Sequence, residues 1–307
     1  VGANIFNFLY ARKYVNVFEK TKINLARHIK PILTFFGVSA AGKVNGILDT
    51  IMLGFLSGDL SVGLYSAATK LEKMVQELIT SIVSTFMPRT SYLLEKNEKI
   101  EYKVLLNKVF GITFFFSVPA AMGLFFLAEP LTIIFCGERY IDSVPTMKLL
   151  CVSIILLSFN SYLSNLILTP NRLEKFMLYS QLISLAANAS LNWFFILKGL
   201  HYGIKWGVFG AGLATVMVDT IITLVRLIPG WKYIKSKNNL LDLLKIMIGT
   251  SVMFAALYLL NIYIQNSLIK IFVSVFAGAA VYAIIEICLR HPSAKIIIST
   301  ITKKVKK

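Results

Sequence analysis

Charged residues are scarce in this chain. Asp, Glu, Lys and Arg make up only 15% of its 307 residues, whereas hydrophobic residues make up 56%. A soluble protein of this length needs a larger polar surface, so a water-soluble globular domain is excluded. The mean hydropathy is +0.71, and apolar runs of about 20 residues predict membrane-spanning helices. An outer-membrane barrel is excluded because its strands would appear as short alternating segments.

Residues that commonly bind metals are also few. The sequence has three cysteines and three histidines, and no two cysteines have CxxC spacing. Cys151 and Cys288 lie within apolar runs, where a free buried thiol is the expected state. The full set is Cys136, Cys151, Cys288, His28, His201 and His291. The sequence therefore predicts no metal site and no cofactor.

Acidic residues are outnumbered by basic ones, 15 against 32, which gives a net charge of +17. A nucleic acid partner is not predicted, because the basic loops lack interleaved aromatic residues and RNA-binding motifs. Most Lys and Arg residues instead lie in every second loop, which is the positive-inside pattern. These loops, predicted to be cytoplasmic together with the C-terminus, are 10–30, 89–108, 169–175, 226–245 and 290–307.

The apolar runs between these loops predict an all-α polytopic membrane protein with about eight full transmembrane helices. Residues 1–10 read as the end of a preceding helix, and we expect the chain to be a piece of a longer protein. Residues 11–30 read as a basic linker. The predicted spans are 31–56, 62–88, 109–128, 146–168, 176–197, 207–228, 243–262 and 268–289.

The first two spans carry charge inside their apolar sequence, on either side of a predicted turn at Ser57–Ser61. Charged side chains at membrane depth are costly and normally face a bundle interior or a water-filled cavity. Residues three or four apart share a helix face, which predicts one stripe of polar residues and an adjacent charged stripe. The polar residues are Lys43, Asn45, Asp49, Tyr65, Thr69, Lys70, Glu72, Lys73, Gln76 and Glu77.

Two interpretations of these charges are open. They either pair with one another to hold the two helices together or line a substrate cavity. Buried ion pairs add little to stability over apolar replacements, which favours the cavity. Ammonium groups at Lys43, Lys70 and Lys73 would offset the desolvation of a phosphate or pyrophosphate group. The predicted sites for a coupling H⁺ or Na⁺ are Asp49, Glu72, Glu77 and Asp219, although each carboxylate can equally be a salt-bridge partner.

Neutral amides and hydroxyls mark later spans. Gln181, Asn188 and Asn192 share one face of the fifth span, and the fourth carries Asn160 and neighbouring polar residues. These groups either contact sugar hydroxyls or form hydrogen bonds between helices. The predicted diphosphate and glycan site is Lys43, Asn45, Lys70, Lys73, Gln76, Asn188 and Asn192. The last two spans have almost no central polar residues and are predicted to be peripheral.

Three stretches together resemble the Wzx-type polysaccharide flippases of the multidrug/oligosaccharidyl-lipid/polysaccharide exporter superfamily. The first, 48–74, contains D-x-x-M-L-G followed by V-G-x-Y-x-x-A-x-K. The second, 166–196, contains a small-residue turn followed by N-x-x-L-N, and the third is 202–220. Each pattern is loose, but their order and spacing extend over most of the chain.

The resemblance implies a protein of 12 or 14 helices in two MATE-like lobes around a central cavity. It implies alternating access that moves an undecaprenyl-diphosphate-linked oligosaccharide to the outer leaflet of a bacterial inner membrane, without covalent chemistry. On that template, residues 31–228 are the six-helix second lobe, and residues 1–30 are the end of a preceding helix and the basic cytoplasmic linker. Residues 229–307 are two extra helices and a basic tail. A polysaccharide polymerase, export machinery and membrane lipids are the implied partners.

Two other functions fit a membrane protein of this kind. A cation-coupled multidrug exporter of the same superfamily would be expected to have an acidic, aromatic cavity, and the predicted lysines argue against it. A membrane glycosyltransferase or polymerase would need large loops with catalytic motifs. The longest predicted loops have about 20 residues and none of these motifs, so no enzyme activity is expected.

Overall fold

The computed structural model describes residues 8–10, 26–234, 237–264 and 266–295. Within them the chain is helical and contains no strand. A 3-10 helix, Glu138–Ser143, precedes the α-helix Val144–Tyr162, and a π-helical turn, Leu163–Leu168, follows that helix. The α-helices are α1 (Ala26–Ser57), α2 (Asp59–Ser84), α3 (Met87–Glu95), α4 (Lys99–Cys136), α5 (Val144–Tyr162), α6 (Glu174–Leu200), α7 (Ile204–Ile234), α8 (Lys237–Tyr263) and α9 (Ser267–Cys288).

The all-helical prediction is confirmed, and a long helix lies at each of the predicted spans. Five segments are long and apolar enough to cross a membrane. They are Lys99–Cys136, Glu138–Leu168, Ile204–Ile234, Leu240–Ile262 and Ser267–Cys288. Helices α1, α2 and α6 are not among them, so the count of eight spans stays a prediction. The predicted helix end at 1–10 and linker 11–30 lie largely outside the described residues, as does most of the basic tail.

Two connections differ from the sequence expectation. The predicted loop 89–108 contains most of α3 and the first ten residues of α4, because its polar residues alternate with apolar ones that pack inward. The predicted turn Ser57–Ser61 shortens to Gly58, since α2 already begins at Asp59. Gly58 has a φ of 81°, a backbone conformation that side chains other than hydrogen resist, which allows the chain to reverse within one residue.

Helices α6 and α7 form a close antiparallel hairpin. Its two helices approach through glycines: a Cβ at Gly210 would overlap the backbone carbonyl of Phe195, and one at Gly199 would overlap that of Trp206. Small residues allow this backbone approach in a membrane, where packing rather than water exclusion holds helices together. Helix α1 packs against α6 on one side, and α5 packs against α7 on the other.

Two tyrosine hydroxyls join α4 to the α5 region. Tyr102 donates to the carbonyl of Leu166 at 2.8 Å, and Tyr162 donates to that of Leu106 at 3.2 Å. Helices α8 and α9 lie beside α4, where the Tyr282 hydroxyl donates to the carbonyl of Phe115 at 3.0 Å. They are the least buried of the candidate spans, with 28% and 17% of their apolar windows buried against 50% or more in the others.

Candidate functional site

A polar cavity of about 520 Å³ lies among α1, α2, α5, α6 and α7. Its wall combines carboxylates, amides, hydroxyls and two cations with a few aliphatic side chains. The polar lining residues are Asn45, Asp49, Tyr65, Thr69, Glu72, Lys73, Gln76, Thr80, Ser153, Asn160, Ser161, Ser164, Asn165, Gln181, Ser184, Asn188, Thr215, Asp219 and Arg226. Polar groups at this density inside a bundle of apolar helices are costly and indicate a functional pathway.

Asp49 lies at the centre of a hydrogen-bond network that joins four helices. Its carboxylate accepts from the Tyr65 hydroxyl of α2 at 2.9 Å and from Asn192 Nδ2 of α6 at 2.6 Å. Thr215 Oγ1 of α7 lies 3.4 Å from the same carboxylate and 2.8 Å from the Tyr65 hydroxyl. The Asp49 side chain is buried, so these neutral donors replace the water that would otherwise solvate it.

A second set of bonds joins α1 to α6 beside Asp49. Asn188 Nδ2 donates to Asn45 Oδ1 at 2.8 Å, and Asn45 Nδ2 donates to Ser184 Oγ at 3.1 Å. Asn192 Nδ2 also contacts Asn188 Oδ1. The predicted amides therefore make interhelical hydrogen bonds, one of the two roles open from the sequence. Asn192 Oδ1 is buried and has no hydrogen-bond partner among the described residues.

Glu72 and Asp219 bring two further carboxylates to the same cavity. Both residues are buried, yet Glu72 Oε1 and Asp219 Oδ2 have no hydrogen-bond partner in the part of the chain that the structure describes. Leaving a buried charged oxygen without a partner costs more than any net gain from a typical hydrogen bond. These oxygens are therefore available to a proton, a cation or a polar ligand that enters the cavity.

The predicted charged residues separate into two groups. Lys73 and Gln76 line the cavity, as does the whole predicted stripe of Tyr65, Thr69, Glu72 and Gln76. The side chains of Lys43, Lys70 and Glu77 are exposed and are not among the lining residues. Their predicted roles in substrate binding and ion coupling stay predictions.

Arg226 lines the cavity but was not among the site residues predicted from the sequence. It was counted with the basic loop 226–245, although the predicted span 207–228 also contains it. In the structure it lies inside α7 and is 8% exposed. The signal was present in the sequence, because Asp219, Thr223 and Arg226 follow the i, i+4, i+7 spacing of one helix face. The predicted loop therefore begins too early: α7 continues to Ile234, which places Arg226 two turns inside the helix end.

The cavity has two electrically different regions. Asp49, Glu72 and Asp219 carry the acidic charge, whereas Arg226 lies about 10 Å from Asp219 along α7, at 1.5 Å per residue. Amides and hydroxyls of α5 and α6 also line the cavity. Among the described residues, no group of three metal-binding side chains comes together. The arrangement suits reversible binding of a charged, hydroxyl-rich molecule.

A family model described as "Polysaccharide biosynthesis protein" matches residues 7–145. A putative O-antigen transporter of Shigella dysenteriae is 30% identical over 216 residues, which cover 70% of this chain and 52% of that protein. A probable low-salt glycan biosynthesis flippase of Haloferax volcanii is 20% identical, over 81% of this chain and 51% of that protein. The chain thus spans about half the length of the curated relatives it matches.

Among solved structures, the fold is similar to that of the lipid II flippase MurJ in an inward closed conformation. The TM-score is 0.71 at 21% sequence identity, and the match covers 89% of this chain and 56% of that chain. This likeness concerns the fold alone. The family model and the named relatives together support one family. The chain is therefore similar to proteins of polysaccharide biosynthesis that are named as transporters and flippases, the kind of protein that its sequence motifs indicated.

Proposed function

We propose that the chain is part of a flippase for an undecaprenyl-diphosphate-linked oligosaccharide used in surface polysaccharide biosynthesis. The observation that carries this proposal is the polar cavity within a bundle of apolar helices. A hydrophilic headgroup cannot cross a bilayer unless its hydrogen bonds to water are replaced, and this wall offers amides, hydroxyls and cations for that purpose. The relatives' names, which refer to transporters and flippases rather than enzymes, support it.

We also propose that the chain forms the second of two lobes that alternate between inward-open and outward-open states. Residues 31–228 would form the six-helix lobe and 229–307 the peripheral helices and tail. The match to 56% of the MurJ chain supports this assignment. The predicted membrane is the bacterial inner membrane, with the C-terminus in the cytoplasm.

In this proposal, different cavity residues bind the headgroup, the glycan and the coupling ion. Lys73 and Gln76 contact the diphosphate or the first sugar, since both line the cavity. Asn45 and Asn188, which line the cavity, offer amide groups to glycan hydroxyls by exchanging the bond that they make with each other. Asn192 is fully buried and is not among the lining residues, so its contact with the glycan stays a prediction. A carboxylate with an unpartnered oxygen, at Glu72 or Asp219, or the carboxylate of Asp49, binds the H⁺ or Na⁺ that drives the cycle.

One observation favours the cation-coupled drug exporter as a second candidate. The cavity holds three buried carboxylates, which suit a cationic drug. Tyr65 is the one aromatic side chain among its lining residues, and Lys73 and Arg226 add positive charge. Drug exporters of this type are expected to stack cationic rings on aromatic faces, so the composition of the wall supports the flippase more strongly.

The test is a strain of the source organism that lacks the gene. We expect loss of surface polysaccharide and accumulation of its lipid-linked precursor, both reversed by the full-length protein. In the complemented strain, Lys73→Gln is expected to lower polymer about tenfold, the effect of about 1.5 kcal/mol from one charge-assisted hydrogen bond. Lys70→Gln is the matched control, because Lys70 lies on the same helix outside the cavity wall.

The two candidates give opposite results in this strain. Normal polymer together with new sensitivity to cationic drugs would refute the flippase and support the exporter. If Lys73→Gln and Lys70→Gln make equal amounts of polymer, the charge of Lys73 in the cavity wall does not contribute to export. Membrane levels of both variants must match the wild type, which immunoblotting of the membrane fraction checks.

A further inference from the structure

Arg226 is a buried cation that has no anionic partner in the part of the chain that the structure describes. Among the described residues, the ion pairs are Lys205–Asp142, Lys245–Asp242 and His291–Glu286, and none involves Arg226. Burying a guanidinium without a counter-charge is unfavourable, because surrounding dipoles replace only part of its hydration. A cation retained under these conditions indicates that its counter-charge arrives with a ligand.

The surroundings of Arg226 hold its guanidinium in one orientation. Nε donates to Ser180 Oγ at 2.8 Å, and Nη2 donates to Gln181 Oε1 at 3.0 Å, both on α6. Nη1 donates to Asn160 Oδ1 at 3.2 Å and to Ser164 Oγ at 2.9 Å, on the α5 side. All four acceptors are neutral oxygens. They position the group without cancelling its charge.

One N–H donor of the Arg226 guanidinium has no acceptor among the described residues. A guanidinium has five N–H groups, and the four bonds leave a second N–H on Nη2. Arg226 is 8% exposed and lines the cavity, so an anion in the cavity has access to both this donor and the net positive charge. The nearest carboxylate on its own helix, Asp219, is two turns away at about 10 Å.

The backbone beside Arg226 is also unusual. Its partner Ser164 lies in the π-helical turn Leu163–Leu168, which interrupts the regular hydrogen bonding of the α5 region. Such turns are rare and concentrate at functional sites, because they displace side chains from the positions that an α-helix would give them. Ser164 and Asn165 of this turn both line the cavity, and Ser164 accepts from the guanidinium.

We propose that Arg226 is the specificity-determining residue that binds a phosphate group of the cargo. It would do so at the end of the cavity away from the carboxylates of Asp49, Glu72 and Asp219. This assignment rests on the proposed flippase function and adds Arg226 to Lys73 as a cavity cation that recognises phosphate. The planar fork of arginine suits paired phosphate oxygens better than the point charge of lysine does. The shared chemistry is a phosphate ester, which either the lipid-linked cargo or a bilayer phospholipid can supply.

The experiment measures binding of geranylgeranyl diphosphate to the full-length protein in phosphatidylcholine nanodiscs, with geranylgeraniol as the uncharged reference. We expect the wild type to prefer the diphosphate and Arg226→Gln to weaken its binding at least tenfold, leaving geranylgeraniol binding unchanged. The diphosphate affinity of Arg226→Lys is expected to lie between those of the wild type and Arg226→Gln. This variant also tests the proposal if Arg226→Gln does not fold. Arg89→Gln is the control, since Arg89 is an exposed arginine outside the cavity.

Each other outcome overturns a defined part of the proposal. If the wild type and both Arg226 variants bind the diphosphate equally well, Arg226 does not bind the phosphate. The flippase proposal is unaffected by that result. A wild type that does not distinguish diphosphate from alcohol refutes phosphate recognition and, with it, the proposed cargo. If added phosphatidylglycerol displaces the diphosphate from the wild type, Arg226 belongs to a bilayer lipid and the assignment to cargo is wrong.

Discussion

Gly210→Ala is expected to separate α6 from α7 and to lower the free energy of unfolding by about 3 kcal/mol, at the upper end for overpacking. The added Cβ would overlap the carbonyl of Phe195, and a backbone carbonyl cannot rotate away as a side chain can. The two helices must therefore move apart along their contact. Thermal unfolding of the purified protein in detergent, followed by size-exclusion chromatography, measures the loss.

Gly123→Ala is the matched control for this change. A Cβ at Gly123 meets no atom within 4 Å, so alanine there adds helix propensity without a collision. We expect it to unfold at or slightly above the wild-type temperature. If Gly210→Ala unfolds at the same temperature as Gly123→Ala, the close approach of α6 and α7 does not contribute to stability.

Asp49→Ala is expected to abolish polysaccharide export and to lower the free energy of unfolding by about 3 kcal/mol, since each buried donor left unpaired costs about 1–3 kcal/mol. The substitution leaves the Tyr65 hydroxyl and Asn192 Nδ2 without their acceptor. Asp49→Asn keeps one acceptor oxygen but removes the charge. It is expected to retain most of the stability while lowering export at least tenfold, because the proposed coupling ion loses its carboxylate.

Asp59→Ala provides the comparison. Asp59 is exposed in the first turn of α2, where its charge contributes at most about 1 kcal/mol through the helix dipole. Thermal unfolding and surface polymer are measured on all three variants. Wild-type export by Asp49→Asn would refute a coupling role for this carboxylate, and wild-type stability of Asp49→Ala would refute the network as a stabilising element.

Apolar runs were sufficient to predict the long helices of this protein, because a bilayer requires about 20 consecutive apolar residues. Short amphipathic elements are harder to find. Helix α3 has only nine residues and lies in a stretch rich in charge, so it was predicted as loop. The i, i+4 spacing also grouped Tyr65, Thr69, Glu72 and Gln76 correctly on one face, since helix geometry alone determines which residues share a face.

Spacing cannot give the absolute orientation of that face. Lys70 and Lys73 are three residues apart, yet Lys73 lines the cavity and Lys70 does not. Arg226 shows a second difficulty: a basic residue near a helix end either extends towards the interface or turns inward. Its inward orientation depends on Asn160, Ser164, Ser180 and Gln181, which are 45 to 66 residues away in sequence and become neighbours only in the fold.

The glycine contacts between α6 and α7 also bear on the order of assembly. Their helices are joined by a turn of a few residues, so little chain entropy is lost when they meet. The Asn45–Asn188 bond, in contrast, joins α1 to α6 across 143 residues. Contacts between neighbours in sequence form faster than distant ones. We therefore expect the α6–α7 hairpin to form early after insertion, and Asp49 to gain its partners only when α1 docks against it.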